Sequence, residues 1–521
     1  MSFQGTCEVS IRPGGRVGRQ REGGIRNPMS RMEKSDSAIR AGKPANKGGR
    51  PTAERAEQRA GTEENPGGRN TCRTQCRESV DQATERIRQA VKRNPKERLT
   101  ALLHHVSLDA LRVAYLGLRG EAAAGVDGMT WTDYAEGLEE RLLDLHRRVQ
   151  AGAYRAPAVR RVYIPKPDGG TRPLGIAALE DKIVQKAVVD GILTPLYEAE
   201  FLGFSYGFRP GRGAHDALDA LAYGIEKRKV NWIADADVRQ FFDRIDRGWM
   251  LQFLEHKIGD KRLIRLIGRW LNAGVMDDGT WTDTVTGTPQ GAIVSPVLAN
   301  AFLHYVLDLW FQKQWRPKIP EGEALIVRYA DDFVVGLQHK RDAEQFLRDL
   351  KERLGRFGLE LHPEKTRLVE FGRFAAANRK ARGQGKPETF DFLGFTHYCK
   401  VSSKGYFGLG RKPNRKRMTR TLARIKETLR RRWHRSIAEN GEWLGRVLDG
   451  WLNYYAVPGS TRFLRCFAQR LKRLWLRALQ RRSQKDKNTW ENIGALVKRY
   501  WPKVRIRHPY PTRRFAVRHP R

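Results

Sequence analysis

The sequence predicts an α+β chain, and three observations carry that prediction. An apolar hairpin near the middle turns on two adjacent acids, a second acid-bearing strand lies upstream, and the C-terminal fifth is basic with helical periodicity. Ile326-Val327-Arg328-Tyr329 reads as one strand and Phe333-Val334-Val335-Gly336-Leu337 as the next, with Ala330-Asp331-Asp332 between them. Ionised carboxylates on a mostly buried element repel each other unless a cation compensates them. A divalent metal is the simplest compensation, although acids in a turn can also be occupied by nearby backbone. A two-metal site for phosphoryl or nucleotidyl transfer needs carboxylates from at least two chain segments.

The upstream segment Asn231 to Asp246 offers such a partner. Alternation around Ile233, Ala234 and Val238 predicts a strand that ends near Phe241-Phe242. Asp235 and Asp237 would share one face of it, whereas Asp243 and Asp246 fall at or beyond its end, in a turn or helix start. Spacing alone leaves all four open.

Seven blocks then follow one another in a telling order. They are Ile164 to Ile176, Gly207 to Arg212, Asp237 to Phe242, Thr288-Pro289-Gln290-Gly291 to Pro296, Tyr329-Ala330-Asp331-Asp332, and Leu361 to Thr366 with Phe392-Leu393-Gly394-Phe395 behind. Together they resemble the motifs of reverse transcriptases, in the context of the group II intron branch, over roughly residues 100 to 521. The resemblance implies a right-hand polymerase, with fingers and palm built on antiparallel sheet and followed by an α-helical thumb and maturase region. It implies Asp237, Asp331 and Asp332 as catalytic, metal-holding acids for two Mg2+ ions, with Mn2+ able to substitute. It places Lys166 and Arg172 on the triphosphate, Gln290 under the nucleotide or template, and the ring of Phe242 under the sugar, where it would exclude a 2′-hydroxyl. Lys365 matches a lysine that protonates pyrophosphate as it leaves. The implied partners are an RNA template, intron RNA, a DNA primer or target and deoxynucleoside triphosphates, with a homodimer as a further expectation.

Charge gives an independent line. The net charge is +40, and its distribution is uneven: residues 101–410 carry 44 basic against 40 acidic side chains, whereas residues 411–521 carry 32 against 6. Such a tail suits a polyanion, because basic chains bind nucleic acid largely through phosphate neutralisation. Phe463, Phe467, Leu471 and Leu474 recur at helical spacing with Arg465, Arg470, Lys472, Arg473 and Arg477 between them, and Met418, Leu422, Ile425 and Leu429 form a second stripe. These helices read as an RNA grip or as a bundle with a solvated charged face. Leu448 to Tyr455 resembles the maturase motif of the same branch, in which Tyr454 or Tyr455 would stack on bases or serve the core.

The expected organisation is a basic, disordered segment over 1–80, an N-terminal extension over 81–145, fingers and palm over 146–397 and the helical thumb over 398–521. Helical pattern begins near Val80, and Leu108, Leu111 and Tyr115 followed by Gly125 to Thr130 look like the extension. No run approaches the roughly 20 apolar residues of a membrane span, so no membrane is expected. Five scattered cysteines form no disulfide framework and point to the reducing cytoplasm; Cys72 and Cys76 lack a second pair for zinc. Nothing after Cys466 resembles the paired cysteines of the intron endonucleases, so target nicking is not expected and insertion would borrow a primer. Three other readings remain: a related enzyme in defence, repair or diversification, a splicing factor with dispensable polymerase, or a repair polymerase.

Overall fold

The computed structural model describes residues 70–165, 170–277, 280–282, 291–319, 321–402, 405–482 and 489–518. The expected disordered segment therefore lies almost wholly outside the described residues, and its last eleven positions are helical. The first helix runs Asn70–Arg93, ten residues ahead of the predicted start, and closes with Lys92 and Arg93 where cations favour a helix C-terminus. Cys76 is buried in it, with Sγ 3.1 Å from Asp109 Oδ1 and close to Arg112. Ser107 caps Leu108–Leu116, and Thr130 with Asp133 forms a capping box for Trp131–Ala135. The rings of Tyr115 and Trp131, one from each helix, stack at 4.9 Å and tie the extension together.

Eleven strands are described: β1 (Val159–Pro165), β2 (Thr171–Ile176), β3 (Trp232–Ala236), β4 (Val275–Asp277), β5 (Thr280–Thr282), β6 (Ala324–Tyr329), β7 (Asp332–Leu337), β8 (Arg367–Glu370), β9 (Phe390–Phe392), β10 (Phe395–Val401) and β11 (Phe407–Pro413). They form three sheets, ordered β2-β1-β4-β5, β6-β7-β3-β8 and β11-β10-β9. The central sheet is antiparallel throughout, as expected of a palm. In the sheet expected of the fingers, β1 and β4 run parallel, so that sheet is mixed and not wholly antiparallel. β3 stops at Ala236, five residues before the predicted end, and Phe241 opens a short helix instead.

Both faces of the central sheet are buried, which explains why β6 and β7 read as unbroken apolar runs. Side chains alternate across a strand. Ala234, Ile326, Phe333 and Val335 join one core with the helices Ser295–Leu303 and Lys340–Gly355. Ile233, Leu325, Val327 and Val334 join a second core with the helix Ala214–Lys227 and the C-terminal helices Arg415–Arg431, Ile437–Tyr455 and Thr461–Gln480. The basic C-terminal region thus shares its core with the palm, and β10 runs across the expected boundary at residue 398.

Two details of that region differ from expectation. The buried stripe of Thr461–Gln480 is Leu464, Phe467, Leu471, Trp475 and Leu479, so Phe463 and Leu474 are only partly covered. Periodicity gave the helix but missed its phase, because Trp475 outcompetes Leu474 by stacking on Trp501 at 5.7 Å. Tyr455 is buried, and Tyr454 donates its hydroxyl to the Leu393 carbonyl at 2.8 Å while its ring stacks on Phe395. Of the two roles the sequence leaves open for Tyr454, base stacking and core, its contacts show packing between the maturase-like helix and β10. Among the described residues no helix is long and apolar enough to cross a membrane.

Candidate active site

The β6–β7 hairpin closes on Ala330 and Asp331, with Tyr329 paired to Asp332. Ala330 has φ 57°, a left-handed conformation that alanine keeps only where its surroundings impose it. Alongside, β3 pairs with β7 so that Ala236 faces Phe333, and Asp237 is the next residue out. This register brings the acid of one strand to the acid turn of the other. Burial pushes the Asp331 carboxyl above the ordinary carboxylate range, and the charge of Asp237 pushes it the same way, while Arg172 and Arg328 pull it down.

The backbone around Asp237 is held by the loop after Leu361. Asp237 accepts at its carbonyl from His362 N at 2.7 Å and donates from its own N–H to Thr366 Oγ1 at 3.5 Å. From the same loop, Lys365 Nζ stands 3.2 Å from Asp237 Oδ2. The site therefore already draws positive charge, and two acidic side chains facing a cation are a donor set that fits a hard divalent ion. Among the described residues no group of three or more His, Cys, Asp or Glu converges, and Asp332 is exposed at the first position of β7. The structure joins Asp237 with Asp331 and leaves Asp332 beside them.

The other acids of the upstream segment find different partners. Asp235 is raised by burial and pairs with Arg367 at 3.3 Å. Asp246 caps the helix Arg247–Glu255 by accepting from Trp249 N at 2.7 Å, and Asp243 is exposed in the short helix Phe241–Arg244.

Arg172 is exposed on β2, opposite Ile164, and its charge is felt at Asp331. Lys166 and Gln290 lie outside the described residues. Gly291, next to Gln290, has φ 109°, and a Cβ there would stand 2.8 Å from the Gly175 carbonyl oxygen, so this loop sits directly on β2. Buried Gln185 fixes its continuation by accepting from Ile293 N at 3.0 Å. Phe242 is half-buried against the core and edge-on to buried Phe241 at 5.3 Å.

Arg470, Arg473 and Arg477 are exposed on the side of their helix away from the buried stripe, and Arg465 is exposed on its flank. Lys472 is half-buried, with its ammonium 4.2 Å over the Trp490 ring. Sequence reasoning did not single out Gln185, buried beside the segment at Ile293, or Asn300, Asp308 and Arg328, which are buried, polar and joined to the turn. A charged residue in the middle of an apolar strand is the signal that could have found Arg328.

A family described as "Reverse transcriptase (RNA-dependent DNA polymerase)" matches residues 164–397. The protein YkfC of Escherichia coli is 29% identical over 312 residues, covering 53% of this chain and 81% of its own length. The group II intron-encoded protein LtrA of Lactococcus lactis is 36% identical over 232 residues, 43% of this chain and 38% of that protein. A putative COX1/OXI3 intron 1 protein of Saccharomyces cerevisiae is 28% identical over 328 residues, 53% and 38% respectively. The chain thus spans less than two fifths of the length of these two intron proteins.

The raised Asp331 carboxyl has a consequence for stability. With divalent ions chelated, ionising Asp331 costs more in the folded than in the unfolded chain, so Asp331→Asn should raise the thermal midpoint at pH 7. The gain should vanish as pH falls below the ordinary value of 3.8, where folded and unfolded forms are both protonated. Thermal melts across pH check this; a variant less stable than the parent at pH 7 would contradict it.

Proposed function

We propose that this chain is a reverse transcriptase of the group II intron type, which extends a DNA primer on an RNA template and assists the splicing and mobility of an intron RNA. The observation that carries the reading is the meeting of Asp237 and Asp331 at the ends of β3 and the β6–β7 hairpin, 94 positions apart in the chain.

The enzymes of this family use divalent ions, and here Asp237 and Asp331 would hold them, two Mg2+ ions for which Mn2+ could substitute, with Asp332 at the edge. When bound, such ions lower the pKa of the primer hydroxyl and offset the charge on the departing pyrophosphate. The protein's own part is placement. Arg172 on β2, with Lys166, holds the triphosphate from the fingers side. Gln290 would serve the nucleotide or template together with Gly291, where glycine lets backbone approach closely. The half-buried ring of Phe242 supports the sugar and rejects a 2′-hydroxyl. Lys365 neutralises Asp237 until substrate arrives and then protonates the leaving pyrophosphate.

The C-terminal helices supply the RNA grip through Arg465, Arg470, Arg473 and Arg477, while Tyr454 and Lys472 serve packing. Because these helices share a core with the palm, the grip and the acids are held in one body. The proposed setting is the bacterial cytoplasm, on the nucleoid.

Primer extension on poly(rA)/oligo(dT) tests the polymerase reading. Asp237→Ala and Asp331→Ala should each abolish divalent-dependent extension with RNA affinity nearly intact, and extension by either variant would refute it. For the RNA grip, Arg473→Glu with Arg477→Glu should lower the slope of log affinity against log salt by about 0.7 to 0.9 for each lost phosphate contact. An unchanged slope would remove this face from the interface.

A further inference from the structure

The turn that carries Asp331 is gripped from beneath by polar side chains that the reading above does not use. Arg328, in β6, is fully buried. Its Nε donates to Asp308 Oδ1 at 2.7 Å and its Nη2 to Asp308 Oδ2, a two-pronged ion pair. Its Nη1 reaches the other way, donating to Asn300 Oδ1 at 2.9 Å and to the Ala330 carbonyl oxygen at 3.0 Å. Asn300, also buried, donates from Nδ2 to the Gly207 carbonyl at 2.7 Å. Gly207 lies against the far side of the turn, where a Cβ would stand 2.3 Å from the Ala330 nitrogen. The left-handed Ala330 is thus fixed by a hydrogen bond on its carbonyl and by backbone packed against its nitrogen.

The segment that presents Asn300 and Asp308 is built for this. Ser295–Leu303 is α-helical, and His304–Asp308 continues it as a π-helix. In an unbroken α-helix, eight residues overshoot two full turns by about 80°. The wider π turn absorbs that excess, so both side chains meet one guanidinium. π turns inside helices are rare and frequently mark functional sites; here a second, Trp310–Trp315, follows the first. Charge neutrality needs only Asp308; the two bonds of Nη1 go to the turn and to the residue that links it to Gly207.

We propose that Arg328, Asn300 and Asp308 are positioning residues for polymerisation, setting the turn at Ala330 so that Asp331 is aimed towards Asp237. This rests on the catalytic reading of Asp331. None of the three touches substrate; they act through the backbone of the turn.

Two variants of the full chain test it. Asn300→Leu severs the link to Gly207 without stranding a charge, and Arg328→Met combined with Asp308→Leu removes both charges of the pair at once, since leaving either alone would unfold the site. Amide hydrogen exchange is read at 328–333 together with single-nucleotide incorporation. Exchange at Ala330 and Asp331 should quicken by about tenfold or more while the rest of the central sheet holds. The kcat should fall by about 100-fold, the loss a misplacement of about 1 Å produces, with the nucleotide KM within about twofold of the parent. Unchanged kcat in both variants overturns the proposal. So does loss of kcat without faster exchange at the turn, or exchange that quickens equally over the whole sheet, which marks a merely structural role. An Asp331→Asn variant run in parallel separates the two claims: if it keeps activity the catalytic reading fails, whatever exchange says about the turn.

Discussion

Two acidic side chains from distant parts of the chain must stand within each other's field at the end of a sheet whose faces are both covered by protein. The rest of the structure depends on satisfying that constraint. Like charges in a poorly hydrated place raise each other's pKa and push the strands apart unless cations and rigid backbone oppose them. Three cations serve Asp237 and Asp331 from different directions: Lys365 from the loop after Leu361, Arg172 from β2, and buried Arg328 from below. A bound divalent ion would add to this compensation, and the exposed Lys365 is the cation best placed to yield to it.

Rigidity comes from the two cores. Because successive side chains of β3, β6 and β7 enter opposite cores, a one-residue slip would exchange every buried contact on both faces. The register that sets Asp237 beside the acid turn is thereby over-determined by packing. The same arrangement fixes the C-terminal helices to the palm, since Leu422, Leu452 and Phe467 share a cluster with Ile233 and Val334. The apolar stripes of this basic helical region cover one face of the central sheet, so its positive outer surface stands in a set relation to the acids.

The hairpin and its acids were legible because their signal is local: apolar runs broken by a turn. Asp237 could be selected among four acids only through the ordered motifs, since spacing serves Asp235 equally well, and the difference between them is a distant partner, Arg367. The buried stripe of Thr461–Gln480 was displaced because partners from beyond residue 489 decide which large side chain wins. Tyr454 looked like a nucleic-acid contact because an amphipathic ring carries the same letter whether it meets a base or a backbone carbonyl. Arg328 carried a signal, a charge in mid-strand, but not its meaning, and Asn300 and Asp308 were silent for a related reason. Their meaning lies in hydrogen bonds between segments 20 and 28 positions apart and in a π turn that periodicity does not announce.

The central claim is that Asp237 and Asp331 converge on one divalent-cation site. Iron-directed cleavage tests it without relying on catalysis: Fe2+ is bound in place of the native ion to the full chain, and ascorbate with peroxide cuts the backbone next to the metal. The account predicts cuts around both 235–239 and 329–333, suppressed together by Mg2+ and lost together in Asp331→Asn. Cutting at only one of these segments, or cuts at both that respond independently to Mg2+, would contradict it.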